Sequence, residues 1–368
     1  MRITVCTGPN FPVPAIQGGG MARMWQRLSS HFHAKGHVVT LMARSWPGQA
    51  SEEILDGVRV LRYGGFDQKR LTTWNIARDF PDALGLLSRL PPADILVVND
   101  FWLPILRGLR GPDLGRMVVS VNRMPKGQYL LHHASALLVC PSEAVMQELK
   151  RQTPSCSEKV LMLPNPYDSL HFRPAKRSRA GLLYVGRLHP EKGLDLLLDA
   201  FRILNRQRSD ITLTVVGSDQ VAHGGGGTDY GNDLRARSEG LPVNWKGPVY
   251  DTASLAELYQ SHLVFCYPSL SEHGETFGIA PLEAMACGCV PVVSGLDVFK
   301  SYLHDGINGL IFEHRNPDAA ASLANRWLDV LDRPEAWLSL SNQGAKDALS
   351  FSIPVVGDRF LDVFSALP

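Results

Sequence analysis

The stretch Ser269-Leu-Ser-Glu-His-Gly-Glu-Thr-Phe-Gly-Ile-Ala-Pro-Leu-Glu-Ala-Met-Ala-Cys-Gly288 decides how the rest of the chain is read. The apolar run at 263–267 before it has the composition of a buried strand, ended by Pro268 and Ser269. Gly278 is placed to open a helix, with Pro281 tolerated in its first turn, and Gly288 to close it before a strand at 290–293. The unit is therefore strand, charged loop, helix, strand. A helix N-terminus presents unpaired N–H groups and partial positive charge, which suits an anion, phosphate above all. Gly278 has no Cβ, so a ligand can approach its backbone closely. Glu275 stands just before the helix and Glu283 on its second turn. Carboxylates so placed accept hydrogen bonds from the paired hydroxyls of sugars and riboses. A diphosphate on the amides of Gly278, Ile279 and Ala280, with hydroxyls on each side, describes a nucleotide-sugar. Two glutamates alone read more simply as solvated side chains. The glycine-led helix between them favours the ligand.

The pattern recurs upstream. Gly181-Leu-Leu-Tyr-Val185 reads as a strand, followed by Gly186-Arg187-Leu188-His189-Pro190-Glu191-Lys192-Gly193-Leu194-Asp195 and a helix over 194–204. Arg187 and Lys192 flank the turn and can converge on one anion. Arginine supplies a planar fork and lysine a point charge, both suited to phosphate.

These segments resemble the retaining GT-B glycosyltransferases that carry an E-x7-E motif, the large family four also described as group 1. The match covers Glu275-Thr-Phe-Gly278, Leu282-Glu-Ala-Met-Ala286, Gly288, Pro291-Val-Val293, the later turn Asp305-Gly-Ile-Asn-Gly-Leu310, and the Gly-Arg…Lys-Gly segment at 186–193. It implies an α/β GT-B fold, two Rossmann-like domains facing a central cleft. Residues 1–170 would form the acceptor domain and 171–351 the nucleotide-sugar domain, with a last helix at about 352–368 packing back on the first. Within the family, Arg187, Lys192 and Glu275 would be catalytic. Gly19, Gly20, Gly186, Val249, Phe277, Gly278, Ile279, Ala280 and Glu283 would bind the donor.

Length and composition agree with that class. The 368 residues suggest two domains, and 45% hydrophobic content suffices for two cores. With 37 basic against 36 acidic residues, nothing points to a nucleic-acid partner. No apolar run is long enough for a bilayer span. Residues 1–7 enter a strand at once, so no signal peptide is expected and the reading is cytoplasmic, in contact with the inner face of a membrane through peripheral residues. Cys6, Cys140, Cys156, Cys266, Cys287 and Cys289 are scattered through apolar runs as reduced thiols. No Asp-x-Asp pair and no His/Cys ligand spacing is seen, so neither metal nor other cofactor is expected.

The first half alternates strand and helix, which implies a parallel sheet. Gly18-Gly-Gly20 lies between the first strand and the helix carrying Met21, Met24, Leu28 and Phe32, where α/β sheets receive ligands. Residues 66–74 read as a mixed, irregular stretch with Lys69, Arg70, Leu71 and Trp74 close together; the resemblance implies contact with acceptor or membrane there, and a solvated loop is the alternative. Strands at 94–98 and 117–121 end in Asn99-Asp100 and Asn122-Arg123-Met-Pro-Lys126. Asp100, Asn122, Arg123 and Lys126 are the acceptor candidates. Many members of the family it resembles carry a histidine where this chain has Asn99 or Asn122, so a histidine-based acceptor role is not expected here. In the second half, His223 followed by Gly224–Gly227 reads as a mobile loop.

The expected reaction moves a sugar from a UDP- or GDP-sugar to an acceptor hydroxyl of a carbohydrate, lipid-linked or small molecule, with retention at the anomeric carbon. The protein would be a monomer or homodimer. Alternatives are a GT-B sugar-nucleotide epimerase and a non-catalytic nucleotide-sugar binder. A dehydrogenase is disfavoured because no G-x-G-x-x-G follows the first strand.

Overall fold

The computed structural model describes residues 1–16, 19–69, 71–110 and 112–368. Gly18 and Arg70 therefore lie outside the described residues. The chain divides into two compact units, Met1–Pro166 with Ile353–Pro368, and Tyr167–Ser352.

In chain order the first unit contains β1 (Arg2–Cys6), α1 (Gly20–Ala34), β2 (Val38–Arg44), β3 (Glu52–Leu55), β4 (Val58–Tyr63), α2 (Thr72–Arg89), β5 (Ile95–Val98), the short α3 (Leu103–Leu106), β6 (Arg116–Ser120), β7 (Leu137–Cys140), α4 (Glu143–Gln152) and β8 (Val160–Met162). Among the described residues its strands form one sheet in the order β3-β4-β2-β1-β5-β6-β7-β8. All neighbours run parallel except the edge hairpin β3–β4. The inner strands are continuous apolar runs because both faces are covered: Ile95-Leu-Val-Val98 is buried throughout. Chain order reverses at β1, which lies between β2 and β5.

The second unit contains β9 (Leu182–Val185), α5 (Leu194–Asn205), β10 (Leu213–Val216), α6 (Thr228–Arg237), β11 (Val243–Gly247), α7 (Thr252–Ser261), β12 (Val264–Tyr267), α8 (Ile279–Ala286), β13 (Val290–Ser294), β14 (Leu310–Phe312), α9 (Ala319–Leu331) and α10 (Pro334–Ala348). Its strands are all parallel, in the order β11-β10-β9-β12-β13-β14. From β9 the chain builds outward one way through β10 and β11, then returns to build the other way from β12. The switch point is therefore the β9/β12 pair, and ligands of open α/β sheets bind beyond the carboxyl ends of such strands. The ladder there pairs only Leu182 and Leu183 with Val264 and Phe265. Helix α5 buries Leu194, Leu197, Leu198, Phe201 and Leu204, an i, i+3, i+4 stripe that packs on α9.

The chain ends in α11 (Ile353–Ala366), which belongs to the first unit. It lies on α1, with Trp25 against Phe360 at 5.5 Å and Phe32 against Phe364 at 5.9 Å between ring centroids, both edge-on. Burying one such phenylalanine contributes about 1.5–3 kcal/mol.

Two local readings change, and one helix appears where none was read. The irregular stretch expected at 66–74 gives way at Thr72 to α2, which continues to Arg89 with Pro81 inside it. The polar segment after the glycines is a helix, α6, whose Tyr230 hydroxyl donates to Asp195 of α5 at 2.8 Å. The glycine run is not loose. Gly225 N–H donates to Gln220 O, Gly226 N–H to Leu188 O and Gly227 N–H to Asp219 O, at 2.7–2.8 Å. All six cysteines are buried and free.

Candidate functional site

The site grows from the carboxyl ends of β9 and β12. After β9 the chain turns at Gly186 and makes a single 3-10 turn, Pro190–Lys192, in which the His189 ring caps Glu191 N–H. Gly193 adopts φ 70° and starts α5. That positive φ favours glycine, and a Cβ there would strike the Pro268 carbonyl of the other loop. The two loops are joined directly, because Leu270 N–H donates to Glu191 O at 2.8 Å. Ser294 Oγ, at the end of β13, donates to Ser269 O at 2.6 Å and fixes the second loop from its other side.

Within this frame Lys192 and Glu275 meet. Lys192 is 6% exposed and Glu275 8%, and Nζ donates to Oε2 at 2.7 Å. The Lys192 ammonium also lies 5.4 Å above the Tyr267 ring centroid. Tyr267 Oη and Ser269 Oγ donate to the same Glu275 oxygen at 3.1 and 3.4 Å. Burial, with Glu275 adding to it, pushes the Tyr267 phenol well above its usual range, so it stays a donor. A buried pair needs further hydrogen bonds to offset its desolvation, and here Tyr267 and Ser269 join Lys192 on the carboxylate. Tyr267 and Ser269 are functional candidates that sequence reasoning missed; they frame the quoted stretch but belong to no charged motif.

Arg187 stays at the surface end. Its Nη2 donates to Glu191 Oε1 at 2.7 Å and its Nη1 to Gly224 O at 2.6 Å. The glycine run supports it: Gly224 has φ 77°, and a Cβ there would lie 2.9 Å from Arg187 Nη1. Both cations act electrostatically on the buried Tyr184 phenol below them, opposing the rise that burial causes. Sequence reasoning put Arg187 and Lys192 on one anion; within the chain Arg187 holds Glu191 and Lys192 holds Glu275.

Gly278 follows Glu275 by one short turn, at φ 78°, and caps α8. Its carbonyl accepts from Tyr302 Oη at 2.7 Å, and a Cβ would press on the Phe299 ring at 2.5 Å. Ile279 and Ala280 are half-buried at the first turn. Phe277 is 1% exposed, packed between Tyr302 and Phe351, so only its backbone faces the loop. Glu283 is 3% exposed and accepts from Tyr259 Oη at 3.3 Å. Gly186 lies against the Tyr184 hydroxyl. Val249 stands apart, after the edge strand β11, with β10 between it and β9. Among the described residues no group of acidic, histidine and cysteine side chains is placed to hold a metal ion.

The family model described as Glycosyl transferases group 1 matches residues 169–340, and that described as Glycosyltransferase Family 4 matches residues 18–169. The chain belongs to this glycosyltransferase family. It is an enzyme of the GT-B type. Among its relatives is the phosphatidyl-myo-inositol mannosyltransferase of Mycobacterium tuberculosis, 28% identical over all of this chain and 97% of that one. A D-inositol 3-phosphate glycosyltransferase of Geodermatophilus obscurus is 34% identical over 45% of this chain and 39% of that one. Sucrose-phosphate synthase from Thermosynechococcus elongatus shares the fold with a TM-score of 0.82, at 18% identity over 100% of this chain and 99% of that one.

The glycosyltransferase's first unit carries the remaining candidates. Gly19, at φ 92°, caps α1 and Gly20 is its first residue; a Cβ on Gly19 would strike the Phe11 ring at 2.7 Å. Asn122 Nδ2 donates to Asn99 Oδ1 at 2.8 Å, and that oxygen also accepts from Trp25 Nε1 at 3.0 Å. Asn99 and Asn122 thus join β5, β6 and α1 at the carboxyl ends of the strands. Asp100 is buried and accepts from Leu103 N–H at 2.7 Å, which starts α3. Its other neighbour is Asp79 of α2, whose carboxyl is pushed up to about 9 by burial and then by the Asp100 charge, against a lesser pull from Arg123. Asp79 was not legible as a site neighbour, because only the fold brings α2 to the end of β5. Arg123 and Lys126 are exposed. Leu71 and Trp74 are exposed at the start of α2, with Lys69 Nζ 6.0 Å from the Trp74 ring centroid. No helix among the described residues is long and apolar enough to cross a membrane.

Proposed function

We propose that the enzyme transfers a hexose, with retention, from a UDP- or GDP-sugar to an acceptor hydroxyl without a metal ion. The reading rests above all on one observation: Lys192 is buried on Glu275 directly ahead of the glycine-capped α8, with Arg187 on the same turn as Lys192. In this reading Arg187, Lys192 and the amides of Gly278, Ile279 and Ala280 take up the charge that grows on the leaving diphosphate. Prearranged donors of that kind are worth about 3–4 kcal/mol each. Glu275 orients the donor sugar and Glu283 the ribose, while the leaving phosphate oxygen accepts the acceptor's proton on the same face.

The mannosyltransferase relatives support a mannose-type donor and an inositol-containing lipid acceptor at a membrane surface, with exposed Leu71 and Trp74 as peripheral contacts. Asn122, Arg123 and Lys126 are assigned to the acceptor.

The test is sugar transfer and donor hydrolysis by wild type, Glu275→Gln and Arg187→Gln across UDP-, GDP- and ADP-sugars. Activity with one donor class that falls at least a hundredfold in both variants, while each still melts cooperatively, supports the reading. Equal activity in all three proteins overturns it. Interconversion of sugar-nucleotides without acceptor would make it an epimerase.

A further inference from the structure

The mechanism above gives Glu191 no task, yet its carboxylate occupies the guanidinium that the donor needs. Glu191 Oε1 accepts from Arg187 Nη2 at 2.7 Å, and Arg187's other terminal nitrogen is bound to Gly224 O. The second carboxylate oxygen turns toward the other loop, 3.5 Å from where a Cβ of Gly274 would stand, one residue before Glu275. Two cations, Arg187 and Lys192, act on this carboxylate together with the His189 ring, whose Nδ1 is 3.8 Å from Oε1. Burial alone would raise the Glu191 carboxyl; the pull of Arg187, Lys192 and His189 outweighs it and holds the group below its ordinary value. The side chain is therefore a fixed negative charge seated between the two loops. Its backbone has a separate task, since Glu191 O receives Leu270 N–H and Ser269 Oγ whatever the side chain is.

We propose that Glu191 is a resident counter-anion of Arg187 that the donor's diphosphate must displace, so that it weakens the hold on donor and released nucleoside diphosphate alike. The proposal rests on the donor-site reading given above. Its logic is that two anions cannot share one half-exposed guanidinium without repelling each other. Arg187 and Glu191 are 44% and 32% exposed at the side chain, so solvent screens the effect and a modest change is expected.

The experiment titrates UDP, GDP and ADP into wild type, Glu191→Gln and Arg187→Gln by calorimetry, at low and high salt. Glutamine keeps the shape, can still accept from Arg187, and leaves the backbone bonds to Leu270 and Ser269 in place. The expected result is roughly fivefold tighter binding of the preferred nucleotide by Glu191→Gln, a gap that narrows as salt screens it, and weaker binding by Arg187→Gln. The donor KM falls in Glu191→Gln with no rise in kcat. Unchanged or weaker binding in Glu191→Gln, with binding still lost in Arg187→Gln, overturns the counter-anion role and leaves the donor site standing. A wild type that binds none of the three, or binding that ignores Arg187→Gln, overturns the donor-site reading and this proposal with it. If Glu191→Gln melts far below wild type, Glu191→Ser serves as the second charge-free variant and is read by the same criteria.

Discussion

Lys192 and Glu275 form a buried pair whose members cannot be removed one at a time without consequence. Breaking such a pair leaves a desolvated charge and costs roughly 3–5 kcal/mol. Lys192→Ala is therefore expected to lower the denaturant midpoint markedly, and Lys192→Ala with Glu275→Gln to recover part of the loss; urea melts of wild type and the two variants check this. A full loss in both would mean that the lysine stem, not its charge, was being measured. At Gly224 the expected effect is functional. A Cβ at φ 77° and 2.9 Å from Arg187 Nη1 displaces the guanidinium, so Gly224→Ala should raise the donor KM several-fold; unchanged steady-state kinetics would contradict it. The charged residues of this site were legible in the sequence because glycine-bounded turns after apolar runs advertise them. Tyr267, Tyr302 and Ser269 were not. Each lies in a stretch that packing alone explains, and their hydroxyl contacts exist only once β12, β13 and the stretch after β13 are folded side by side.

At the scale of elements the sequence reading fails where a helix does not look like one. Helix α2 contains Pro81 and Gly85 and begins Thr-Thr-Trp, which blurs its period, and α6 buries little besides Gly231 and Leu234. Both are made by their neighbours. Helix α2 brings Asp79 beside Asp100 at the end of β5, and burial together with the Asp100 charge raises the Asp79 carboxyl so that it holds its proton. A carboxyl raised in the folded state contributes stability at low pH that is lost as pH climbs to its folded value, about 9 here. The buried His132 works on the acid side: burial lowers it to about 4, so its effect is confined to pH below the ordinary histidine range. Between about pH 7 and 8.5 the Asp79 effect is thus left to act alone of the two. The melting temperature should fall across that interval in wild type and fall less in Asp79→Asn; parallel curves would refute the raised carboxyl. The parallel sheets, by contrast, were plain from apolar runs spaced by helical ones, because strands covered on both faces need no alternation to be recognised.

For the whole molecule, the donor question reduces to a ligand that stabilises the folded state. A nucleotide present at a hundred times its Kd adds about 2.7 kcal/mol, so a thermal-shift series with UDP-, GDP- and ADP-sugars should single out one base. Equal shifts for all three would show that the base is not what is recognised. The sequence could not supply that answer, since its donor-binding candidates include no side chain that would tell one base from another, and Val249 follows an edge strand two places from β9. The tail has a different lesson. The inner layer of the first unit is finished by Val356, Phe360 and Phe364 of α11, which follow the entire second unit in the chain. On the ribosome the earlier-made half must therefore wait, its Trp25 and Phe32 uncovered, until the last stretch emerges. Premature termination before Ile353 would leave a finished second unit joined to a sticky, unsealed first one, a product that quality-control proteases are built to clear.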